Sequence, residues 1–136
     1  MTVHTRDDTG ARGVAPVWGG GQVLLAVIYF LGDELVRRPL QPGQISAVVW
    51  LESIGPVWAL LFLLSGLWLL GAAVRDVGYR RAHIASATLW AFYSGCILIS
   101  AFLTEPPVPI VTGCLAGIVC LAQIATARAN AKRGVR

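Results

Sequence analysis

Charge is what this sequence has least of. Asp, Glu, Lys and Arg make up 13% of its 136 residues, about half the ~25% usual in soluble domains. Residues 54–74, 84–104 and 108–127 form uncharged runs of 21, 21 and 20 residues. Ionisable groups inside a span mark proton relays and ion pathways, so their absence from these runs argues against a transporter or channel. Cysteine is sparse as well. Cys96, Cys114 and Cys120 have no CxxC spacing and no His nearby that could share a metal, which argues against a zinc site or a disulfide framework. No metal, cofactor or catalytic constellation is expected, and nothing in the chain suggests an enzyme.

What remains is apolar. Hydrophobic residues make up 56% of the chain, and mean hydropathy is +0.68. A soluble domain of ~150 residues buries only about 70% of the surface its unfolded chain exposes, too little to hide this much hydrocarbon. A bilayer removes the difficulty, because ~20 apolar helical residues cross its ~30 Å core.

Four spans are expected, at about 17–36, 54–74, 84–104 and 108–127, within one transmembrane domain of residues 17–127. The first is the weakest. Its apolar part, Val17 to Leu31, reaches only ~22 Å, and extending it takes in Asp33 and Glu34. Arg37 and Arg38 follow four residues after each acid, the spacing of helix-surface ion pairs, so the four read as an interfacial collar. Residues 1–16, polar and punctuated by Gly and Pro, read as a flexible cytoplasmic tail. Asp7 and Asp8 argue against a signal peptide. Residues 128–136 form a basic tail that continues the last helix. Ile45 to Leu51 is too short to cross; it either lies at the interface with Trp50 or begins the second helix.

Ten of the eleven basic residues are Arg, and the net charge is +4. They lie between and after the apolar runs, so anionic lipid headgroups are the expected partner rather than nucleic acid. With four spans, Arg6, Arg12, Arg75, Arg80, Arg81, Arg128, Lys132, Arg133 and Arg136 share one side, against Arg37 and Arg38 on the other. The positive-inside rule then places both termini in the cytoplasm. The expected fold is all-α, a polytopic four-helix membrane bundle. Arg75, Arg80, Arg81, Arg128, Lys132 and Arg133 are the candidate headgroup or partner contacts.

Packing signals are plain. Gly113 and Gly117 form a GxxxG pair, and Ala87, Ala91 and Gly95 a second small-residue stripe; both allow close helix approach. They serve packing within the chain or self-association into a homo-oligomer or larger membrane complex. Trp18, Trp50 and Tyr79 suit an interfacial aromatic belt, whereas Trp68 and Trp90 are expected between helices. Gln22 and Gln123 are the most polar side chains within spans, and Gln123 is placed to bond across helices. His83 reads as an interfacial residue without a structured role.

Residues 78–128 resemble a group of small four-span proteins of actinobacterial bacteriophages, regarded as holin-like. The likeness rests on Arg80, Arg81 and His83, then Ala87, Trp90 and Phe92, a turn with Pro106 and Pro107, and a last helix ending in Arg128. It implies a protein that self-associates in the host inner membrane and permeabilises it during lysis. The alternative is a membrane-anchored interaction protein, an exclusion factor or accessory subunit, that docks partners through its basic loop and tail. The topology is directly testable in a chain whose own cysteines are replaced by serine. Thr2→Cys, Val77→Cys and Val135→Cys should resist an impermeant thiol reagent added to intact cells, while Glu105→Cys should react.

Overall fold

The computed structural model describes residues 9–31, 42, 44, 46–103 and 110–132. Five helices are present among them: α1 (Thr9–Leu31), α2 (Ala47–Ile54), α3 (Val57–Arg75), α4 (Tyr79–Leu103) and α5 (Ile110–Lys132). Four are long and apolar enough to cross a bilayer, with spans of 19 residues in α1 (from Gly13) and α3, 25 in α4 and 23 in α5. The chain is thus an all-α, polytopic membrane protein. Its 25-residue helix is ~37 Å long, so α4 outreaches a ~30 Å hydrocarbon core.

Helix α1 packs along α3, and α5 along α4; the two pairs meet mainly between α3 and α4. The start of α1, the α3–α4 turn and the end of α5 lie at one end of the bundle. Ala15 of α1 clusters there with Leu69, Ala72, Tyr79 and Ala82. An aromatic cluster fills the space nearer the other end, where the Tyr93 ring centroid lies 4.9 Å from that of Trp58 and 5.5 Å from that of Phe62.

Helix boundaries depart from the sequence reading in three places. First, α1 begins at Thr9 rather than near Val17 and carries Pro16 inside it. Proline removes one helical hydrogen bond, but Ala15 is fully buried against α3 and α4, and that packing holds the first turns helical. Second, the described part of the Ile45 to Leu51 stretch, from Ser46 on, does not start the second span. It enters a separate helix, α2, capped by Ser46, whose Oγ accepts from the Val49 amide at 3.3 Å. Gly55, at φ 155°, ends it, and Trp58 Nε1 ties it to α3 by donating to the Val48 carbonyl at 3.0 Å. Third, α4 begins at Tyr79, five residues before the uncharged run. Asp76 and Gly78, at φ 57° and 79°, turn the chain so sharply that Arg75, Arg80 and Arg81 all sit around one hairpin. The Asp33, Glu34, Arg37 and Arg38 collar, the Pro106–Pro107 turn and Arg133 lie outside the described residues.

Helices α1 and α3 touch backbone to backbone. A Cβ added to Gly66 would stand 2.8 Å from the Gly19 carbonyl oxygen, and one on Gly19 would stand 2.9 Å from that of Gly66. Both contacts are closer than real Cβ atoms tolerate, so glycine is required at this crossing. Gly20 and Gly71, on the same helices, face open space. Gly66→Val should therefore destabilise the bundle by about 1–3 kcal/mol, the usual range for overpacking. Gly71→Ala should be close to neutral in the same detergent unfolding assay.

Candidate functional site

Polar side chains inside the bundle gather along α4. His83 is fully buried, and its Nδ1 lies 2.5 Å from Oε1 of Gln123 on α5. One turn on, Ser86 Oγ accepts from Nε2 of Gln22 on α1 at 2.5 Å. Ser94 Oγ donates to the Gly113 carbonyl at 2.7 Å. Ser100 Oγ donates to the Cys96 carbonyl at 2.6 Å and accepts from the Ala47 amide at 2.8 Å. Spaced at three, eight and six residues, these four side chains keep roughly to one side of the helix. In this way α4 is bonded to α1, α2 and α5 by side chains that lipid could not satisfy.

His83 therefore differs from its sequence reading. The extension of α4 to Tyr79 brings it inside the helix, where it faces α5 rather than the headgroups. Its partner Gln123 makes the cross-helix bond its position suggested. Such bonds contribute roughly 0.6–2 kcal/mol in membranes. Several polar atoms of this seam still lack a partner among the described residues: His83 Nε2, Gln123 Nε2, Gln22 Oε1 and Nδ2 of Asn130. Asn130 lies two turns beyond Gln123, on the same buried face of α5. Sequence spacing gave a signal for this face, because Gly113, Ala116, Gln123, Ala127 and Asn130 recur at three, seven, four and three residues. Arg128, Lys132 and Arg133 mask that signal by giving the end of the helix the composition of a solvated tail.

The small-residue motifs are divided. Gly113 meets Leu98, with a Cβ at that position 2.8 Å from Leu98 Cδ2, and Gly117 faces Ser94. Both glycines thus serve packing of α5 on α4. Ala87 is buried, Ala91 is exposed, and Gly95 has open space beside it. Arg75, Arg80, Arg81, Arg128 and Lys132 are all exposed at the same end of the bundle.

Two aromatic expectations change. Trp68 faces outward, 52% exposed, because the inward side of α3 is taken by Ser65, Gly66, Leu69 and Ala72. Tyr79 is buried instead of belonging to the belt, and its hydroxyl donates to Asp76 Oδ1 at 2.9 Å. Trp50 remains largely exposed and Trp18 half-buried. Trp90 packs inside as expected, 5.2 Å from Phe62 between ring centroids.

A double-mutant cycle of His83→Ala and Gln123→Ala should give a coupling energy of about 1 kcal/mol in reversible unfolding from bicelles. No coupling would mean that the two side chains do not meet. No known family model, curated protein or solved structure matches this chain.

Proposed function

We propose that this protein is holin-like, associating into several copies in the bacterial inner membrane and opening it during phage lysis. The observation that carries this reading is a polar face kept out of contact with lipid. An aqueous lesion needs side chains that can line water, and the outer surfaces of these helices offer chiefly Leu, Ile, Val and Phe. Inside, His83, Gln123 and Asn130 share one seam with unused hydrogen-bonding capacity. Helix α5 packs mainly on α4, so releasing this one helix turns the seam outward. Water, or the same seam in neighbouring copies, then satisfies the atoms that lack partners among the described residues of the closed bundle. The glycines of the α4–α5 contact are engaged within the chain, so association in the closed state uses the apolar outer faces.

A second reading has its own support. Arg75, Arg80, Arg81, Arg128 and Lys132 crowd one end of the bundle, all exposed, as a docking surface for an acidic partner would require. In that reading the protein is an interaction subunit anchored by its helices, and neutralising these residues abolishes partner recovery while insertion is retained.

Induced expression in bacteria separates the two. Under the lytic reading, wild-type protein collapses membrane potential abruptly after a period of accumulation. Gln123→Leu combined with Asn130→Leu, which removes polarity from the seam at little cost in volume, should insert equally and lower the rate of depolarisation at least roughly tenfold. High-level insertion of the wild type without any loss of potential would reject the lytic reading.

A further inference from the structure

A groove runs down the outside of the bundle between α4 and α5, enclosing about 460 Å³. Four alanines hollow it out: Ala87 and Ala91 on α4, Ala127 and Ala131 on α5. Arg80 and Arg128 stand at one end of it. The two helices are antiparallel, as the His83–Gln123 and Ser94–Gly113 contacts require. Arg80, in the first turn of α4, and Arg128, in the last turns of α5, therefore reach the same membrane face. Eleven residues separate Arg80 from Ala91, so the trough extends ~16 Å into the bilayer.

From this geometry we infer that the groove binds one anionic phospholipid, its phosphate between Arg80 and Arg128 and an acyl chain lying along the alanines. Charge and polarity both select this occupant. Helix α5 contains no acid, and the acid nearest Arg80 in sequence, Asp76, accepts the Tyr79 hydroxyl. The two guanidiniums form a positive pair at headgroup depth, and arginine binds phosphate with charge-assisted, often bidentate hydrogen bonds. Below them the walls are apolar. The one hydroxyl among the described residues that line the groove, that of Thr88, donates to the Ile84 carbonyl of its own helix, which leaves hydrocarbon as the complementary filling. A second protein helix fits less well, because it would set its own polar or charged end against both arginines at the bilayer surface. The inference depends on membrane insertion and not on the lytic reading, so either can fail without the other.

Purified protein is reconstituted in phosphatidylcholine nanodiscs containing a minor fraction of phosphatidylglycerol, and the lipid retained after ejection into the gas phase is weighed by native mass spectrometry. Wild type should retain one phosphatidylglycerol per chain in preference to phosphatidylcholine. Arg80→Gln with Arg128→Gln should weaken that retention roughly thirtyfold, the effect of two basic groups at an anionic bilayer surface. Arg80→Lys with Arg128→Lys should keep most of it. Ala91→Phe, on the exposed wall, should abolish retention while leaving both charges in place. Soluble glycerol phosphate added in excess should not compete, because it lacks the chain. Equal retention of phosphatidylcholine, insensitivity to Ala91→Phe, or displacement by glycerol phosphate would each overturn the proposal. So would a dimer without bound lipid that Ala91→Phe dissociates, since the occupant would then be a second copy of the chain.

Discussion

Hydrocarbon offers no hydrogen bonds, and the arrangement of this protein depends on that constraint. Each long helix meets its backbone demand internally, but Gln22, His83, Ser86, Gln123 and Asn130 bring side chains that lipid cannot satisfy. All five are turned inward. Because α4 carries partners for α1, α2 and α5, it occupies the middle of the structure, and the other helices are placed by what they bond to on it. The seam is satisfied only in part among the described residues. An incompletely satisfied polar seam is expensive in a low-dielectric interior, and under the proposed lytic function that cost favours rearrangement when water or another copy becomes available.

Close approach of the helices is arranged differently in the two pairs. Helices α1 and α3 meet at Gly19 and Gly66, with each backbone carbonyl filling the space a side chain would take. Helix α5 approaches α4 where Gly113 receives Leu98, a side chain set into a gap. No difference in hydrophobicity favours helix contact over lipid contact here, so association depends on such fit and on hydrogen bonds. Farther along, the small residues of α4 and α5 cease to interlock and leave the trough that has Arg80 and Arg128 at one end. Small side chains thus produce tight packing in one part of this helix pair and an open groove in another.

The charged end and the polar seam are physically linked through α4. Its first turn carries Arg80 and Arg81 at the membrane surface, and His83 lies within one further turn, already fully buried. The exposed arginines and the residue that meets Gln123 thus share the opening turns of one helix. Lipid binding in the groove and release of α5 would compete for the same two helices, which makes bilayer composition a natural influence on the proposed lesion.

The sequence alone determined the solvent, the number of spans and the clustering of charge. Those follow from run lengths of 20 and 21 uncharged residues against a bilayer of fixed thickness, which is one-dimensional information. Gln123 as a cross-helix donor or acceptor was legible for the same reason, being a polar residue stranded in an apolar run. Other features were decided by tertiary structure, because they depend on which face of a helix meets which neighbour. His83 reads as interfacial from the sequence, but the turn at Asp76 and Gly78 starts α4 before the uncharged run and the packed helix sets His83 against Gln123 of α5. Pro16 and the surrounding glycines suggested a tail, yet burial of Ala15 kept that segment helical. Gly19 and Gly66 lie 47 residues apart; no local pattern can say that their carbonyls and α-carbons touch, since the contact exists only where two helices cross.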